Sequence, residues 1–133
     1  MTERPFDRAE PAKILLVEDE IAIAVLLEEE LKEAGYEVVG PAASVEAAAQ
    51  HIAETAIDVA VLDINLSGRS VHEILEPLVE KRVPFVFMTG YEELELPAWV
   101  PPVPRFAKPF HVPDLVALLP DLIRRNRKAP DAQ

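Results

Sequence analysis

The sequence contains no cysteine, so disulfides and thiolate metal sites are excluded. It also lacks any apolar run approaching the length needed to cross a bilayer, and its opening Met-Thr-Glu-Arg-Pro-Phe-Asp-Arg has no apolar signal region. These absences predict a soluble, cytoplasmic protein. Positive charge is scarce: 13 lysines and arginines against 24 aspartates and glutamates leave a net charge of −11. Such a field repels nucleic acid phosphates, so direct nucleic acid binding is not expected, nor is a membrane partner. A protein partner is the expectation. His51, His72 and His111 are isolated and show no metal-ligand spacing. No internal repeat is apparent.

What is present is enough for one domain, since 133 residues can bury most of their apolar surface without staples. The chain is organised around Val59-Ala60-Val61-Leu62-Asp63-Ile64-Asn65-Leu66, an apolar run carrying a carboxylate. Val, Ile and Leu without alternation suit a strand covered on both faces, as in a parallel sheet. Ile14-Leu15-Leu16-Val17 has the same grammar and ends in Glu18-Asp19, and Phe85-Val86-Phe87-Met88 ends in Thr89-Gly90. A short candidate strand, Arg105-Phe106-Ala107, runs into Lys108-Pro109. In a parallel sheet these polar groups would meet at the carboxyl edge, where open α/β sheets place their sites.

The intervening segments read as helices. Ile23, Leu27, Leu31 and Ala34 recur at helical spacing over about Glu20 to Ala34, and Gly35 is a natural stop. Tyr36 to Gly40 makes a second strand, and Ser44 can cap an Ala-rich second helix. A third helix is expected between Ser70 and Arg82, starting late or kinked because of Pro77. The last helix presents Leu115, Leu118, Leu119 and Leu122, with a break expected near Leu119 because Pro120 follows. Between Tyr91 and Pro104 stand Pro97, Pro101, Pro102 and Pro104, a density no regular helix survives. Alternating β and α units predict an α/β fold: a doubly wound, five-stranded parallel sheet in the order 2-1-3-4-5, its fourth helix replaced by a Pro-rich loop. The boundaries are a tail over 1–12, a domain over 13–123 and a tail over 124–133. The cluster Arg124-Arg125-Asn126-Arg127-Lys128 is read as complementing the carboxyl end of the last helix before fraying into solvent.

An acidic pair after the first strand, Asp63 after the third, Thr89 after the fourth and Lys108-Pro109 after the fifth together resemble the receiver domain of response regulators, with its flavodoxin-like, CheY-like fold. The resemblance runs from about Lys13 to Ile123. Pro84 to Tyr91 is similar to the FAT GUY subclass of stand-alone receivers, with Met88 where that motif has Ala. The resemblance implies that Asp63 accepts a phosphoryl group from a histidine kinase or phosphotransfer protein. It implies Mg²⁺ held by Asp19, Asp63 and the carbonyl of Asn65, with Glu18 acting through water. Lys108 and Thr89 would engage the phosphoryl oxygens, and Thr89, Gly90, Tyr91 and Arg105 would form the switch and output positions. The chain departs from the family at Arg105, where many receivers carry a switch aromatic. Tyr91 and Asn65 stand at positions that, in the family, flank the path of hydrolytic water.

Each motif has a plainer reading. Acidic residues after a strand often favour the positive end of the next helix, and Lys-Pro alone says little. Three convergent carboxylates, however, are relieved best by a hard divalent cation with oxygen ligands. The function implied by the resemblance is a stand-alone signalling receiver and not an enzyme, beyond its own phosphorylation and dephosphorylation. A pseudo-receiver acting as a protein-binding adaptor without phosphate is the alternative. A phosphohydrolase with an aspartyl-phosphate intermediate is a third reading, weakened by Asn65 where such enzymes usually carry a second aspartate as general acid/base.

Overall fold

The computed structural model describes residues 11–66, 69–90 and 96–128, with the backbone alone at 65, 69–70 and 126–128. In chain order the elements are β1 (Lys13–Val17), α1 (Ile21–Glu33), β2 (Glu37–Ala42), α2 (Val45–Glu54) and β3 (Val59–Asp63). A two-residue hairpin, β4 (Asn65–Leu66) and β5 (Arg69–Ser70), comes next. The chain continues through α3 (His72–Glu80), β6 (Phe85–Thr89), β7 (Arg105–Ala107) and α4 (Val112–Lys128). The five-stranded sheet has the order β2-β1-β3-β6-β7 with every pairing parallel, which is the expected 2-1-3-4-5. The hairpin after Asp63 was not anticipated.

Alternate residues of each central strand feed different cores, as period-2 geometry demands. Leu15, Val17, Ala60, Leu62, Phe85 and Phe87 pack against α2 and α3. Ile14, Leu16, Val59, Val61, Val86 and Met88 pack against α1 and α4. Both faces of the sheet are therefore covered, which is why the strand sequences are continuously apolar.

Local signals set the helix ends. Gly35, at φ +98°, closes α1: its N–H donates to the Lys32 carbonyl and the Tyr36 N–H to that of Leu31, the double bond of a Schellman motif. On α1 the buried residues are Ala24, Leu27 and Leu31, whereas Ala34, expected on that face, is exposed. Ser44 Oγ accepts from the Ala47 N–H at 3.0 Å and caps α2.

One expectation about proline needs correction. The last helix does not break near Leu119; α4 continues across Pro120 to Lys128, so residues 124–128 are helical. An interior proline costs a helix roughly 3 kcal/mol. Burying Leu115, Leu119 and Ile123 on the sheet returns about 1.5–3 kcal/mol each, which outweighs that cost. The same comparison holds for α3, which begins at His72 and runs through Pro77 with Ile74, Leu75 and Leu78 buried. In the proline-rich segment residues 96–104 contain no helix. Leu96, Val100 and Val103 turn back onto the α2/α3 core, while Trp99 stays half exposed. Leu94 and Tyr91 lie outside the described residues.

Candidate phosphoacceptor and metal site

The sheet topology carries the candidate residues to one edge. Asp63 is the last residue of β3, Glu18 and Asp19 follow β1, Thr89 ends β6 and Lys108 follows β7. The Lys108 N–H donates to the Thr89 carbonyl at 2.7 Å, which ties the ends of the last two strands together. The Glu18 N–H donates to the Ala42 carbonyl at 3.0 Å across a bulge in β2. That bulge depends on Gly40. Its φ is +101°, and a Cβ there would stand 2.7 Å from the Ala42 nitrogen and 2.9 Å from the Leu16 oxygen.

Glu18, Asp19 and Asp63 each present a carboxylate oxygen within 4.8 Å of the others. Glu18 is 1% exposed and Asp63 6%, so two of the three charges sit out of water. The Lys108 ammonium lies 3.0 Å from Glu18 Oε1, 3.1 Å from Glu20 Oε1 and 3.3 Å from Asp63 Oδ2. It donates to Glu18 Oε2 only weakly, at 3.4 Å, and its approach to Oε1 is a charge contact without hydrogen-bond alignment. Oε1 is thus a buried acceptor that receives no hydrogen bond. Oε2 also accepts from the Glu20 N–H at 3.0 Å. The plain role of an acid at a helix start is therefore part of what Glu18 does, while Glu20 itself makes no side-chain cap.

Burial pushes the Glu18 carboxyl up from 4.5 to about 7; the Asp63 charge adds to the rise, and the Glu20 N–H and Lys108 only partly oppose it. Burial also works against the Lys108 ammonium, but hydrogen bonds to Glu18 and Glu20 and the charges of Asp63 and Glu18 prevail and raise its pKa. Both rises hold together because the single cation faces three acids, whereas buried Glu18 faces one cation and an acidic neighbour. A divalent cation with oxygen ligands fits this set: clustered carboxylates, a surplus of negative charge, and an unsatisfied buried oxygen.

The remaining candidates fall around this core. A cleft of about 540 Å³ opens beside Asp63 and Lys108, walled by Ile23, Leu26, Gly90 and Phe110. Arg105 is exposed on β7, and the side chain of Asn65 and all of Tyr91 lie outside the described residues. None of His51, His72 and His111 belongs to the acidic cluster. Sequence reasoning missed Glu20, which it treated only as the start of the first helix. The signal that marks it is an acid two residues after Glu18, on the side of the helix start that faces the Lys-Pro loop.

A family model described as the response regulator receiver domain matches residues 14–100. The transcriptional regulatory protein PdtaR of Mycobacterium tuberculosis is 29% identical over 126 residues, covering 92% of this chain and 62% of that protein. The chain therefore spans under two thirds of that relative's length. Sporulation initiation phosphotransferase F of Bacillus subtilis is 28% identical over 108 residues, covering 77% of this chain and 86% of that protein. Among solved structures, SdrG of Sphingomonas melonis Fr1 is 32% identical with a TM-score of 0.73, covering 88% of this chain and 99% of that one. With the strand order, the acidic cluster and the lysine at one sheet edge, these likenesses establish that the chain belongs to the response regulator receiver domain family of two-component signalling.

Proposed function

We propose that the protein accepts a phosphoryl group on Asp63 from a histidine kinase or phosphotransfer protein in a Mg²⁺-dependent reaction, and signals through a change in protein binding. The observation that carries this reading is the convergence of Glu18, Asp19, Asp63 and Lys108 at one sheet edge. An Asp63 carboxylate oxygen attacks phosphorus, the bond from phosphorus to the donor nitrogen breaks, and the imidazole leaves with the electron pair and takes up a proton. When bound, Mg²⁺ supplies positive charge to the transferring phosphoryl oxygens. Asp19, Asp63 and the Asn65 carbonyl would hold it, with Glu18 acting through water. Lys108 is already 3.3 Å from Asp63 Oδ2, close enough to pair with a phosphoryl oxygen built on that atom. The Thr89 hydroxyl would donate to another.

The output surface in this reading comprises Thr89, Gly90, Arg105 and the neighbouring proline-rich segment, with the functional unit spanning residues 13–123. No described helix is long and apolar enough to cross a membrane, and a cytoplasmic location is proposed with the function. A relative named as a phosphotransferase supports phosphoryl transfer as the reaction class. Intact mass after incubation with a small phosphoryl donor tests the proposal. One phosphoryl adduct is expected with Mg²⁺, none with chelator, and none in Asp63→Asn. An adduct that persists in Asp63→Asn would refute it, and the absence of any adduct would favour a phosphate-independent adaptor.

A further inference from the structure

Lys108 is shared among three acids whose environments differ. The side chains of Glu18 and Asp63 are 0% and 9% exposed, whereas that of Glu20 is 60% exposed. If the ammonium leaves Glu18 or Asp63, a buried carboxylate loses its counter-charge, which is costly. If it leaves Glu20, that carboxylate rotates into water at little cost. Glu20 also lines the same cleft as Asp63, together with Lys108 and Phe110, and its side chain is the most exposed of the three acids around the lysine. An incoming phosphoryl donor is anionic and meets this carboxylate in the cleft it shares with Asp63.

From this asymmetry we infer that Glu20 is a positioning residue that holds the Lys108 ammonium at the rim of the site and surrenders it when a phosphoryl group arrives on Asp63, thereby slowing phosphoryl acceptance. The inference rests on the receiver reading and adds to it a residue that competes with the phosphoryl group for the same cation. In the unmodified protein Lys108 donates to Glu20 Oε1 at 3.1 Å and to Asp63 Oδ2 at 3.3 Å. A phosphoryl group on Asp63 carries about two negative charges, as other protein phosphates do. It draws the ammonium inward, and the partner given up is the one that water can replace. Removing the Glu20 charge makes this exchange unnecessary and lessens repulsion of the donor.

The experiment compares the full chain with Glu20→Gln at saturating Mg²⁺. Phosphoryl uptake from acetyl phosphate is followed by intact mass, and beryllium fluoride is titrated as a phosphoryl mimic, each at low and high ionic strength. Glu20→Gln should take up phosphoryl groups about two- to fivefold faster and bind the mimic tighter by a similar factor, the scale of one partly exposed ion pair. The difference should shrink in high salt. A residue serving only to start α1 would give slower uptake or none of this salt dependence. Labelling of Lys108 by an amine reagent in the unmodified chain should also quicken in Glu20→Gln. Equal or slower uptake by the variant, with normal uptake by the parent, would overturn the role of Glu20 and leave the receiver reading intact. Failure of the parent to form any adduct removes the receiver reading instead, and unchanged labelling of Lys108 overturns the ion pair.

Discussion

Replacing Glu18 by Gln should make the metal-free protein more stable at pH 8, although it deletes a charged partner of Lys108. The Glu18 carboxyl is 1% exposed, and its pKa rises from 4.5 to about 7 because burial disfavours the charge more than Lys108 favours it. A folded-state pKa above the unfolded one gives stability that is complete below pH 4.5 and lost as pH rises through about 7. At about 1.4 kcal/mol per tenfold in proton affinity, the full loss is about 3 kcal/mol. Gln keeps the shape and the neutral state, and Lys108 retains Glu20 and Asp63 as partners. Urea unfolding of both proteins in chelator, from pH 5 to pH 8, gives the difference free of other titrating groups. It should be small at pH 5 and should grow to favour Glu18→Gln by as much as about 3 kcal/mol at pH 8. Adding Mg²⁺ should narrow the gap, because the parent gains about 2.7 kcal/mol at a hundred times its dissociation constant and the more weakly binding variant gains less. A variant less stable than the parent at pH 8, or a difference that ignores pH, would show that Lys108 fully compensates the buried charge and that this reasoning is wrong.

Asp19→Ala should weaken Mg²⁺ binding more than Glu18→Gln, measured by calorimetric titration, because a direct ligand cannot be replaced by a relaxed water contact. Mg²⁺ affinity of the parent should fall as pH drops below about 7, where Glu18 takes up its proton; a flat profile from pH 6 to pH 8 would contradict this. Pro120→Ala should raise stability by up to about 3 kcal/mol in urea, since the site is exposed and already helical. Gly40→Ala should destabilise the fold and disturb the Glu18 N–H to Ala42 bond, seen as faster amide exchange at Glu18.

The layers of the fold and the edge that carries the site were legible in the sequence. Continuous apolar runs of about five residues ending in Glu18-Asp19, Asp63 and Thr89 suit buried parallel strands, and parallel strands place every terminal polar group on one side. Gly35 and Ser44 were legible for the same reason, because αL geometry and N-capping each need a particular residue at a particular point. Tertiary structure decided what local rules could not. It carried α4 across Pro120, because burial of Leu115, Leu119 and Ile123 outweighs one missing hydrogen bond. It folded Leu96, Val100 and Val103 onto the core in place of a helix, and it inserted the hairpin after Asp63. It also brought Glu20 to Lys108, 88 residues away in sequence, and set the exposure of each acid around that cation. Charges are written in the sequence, but their accessibility to water is not, and that accessibility decides which carboxylate keeps the lysine and which can release it.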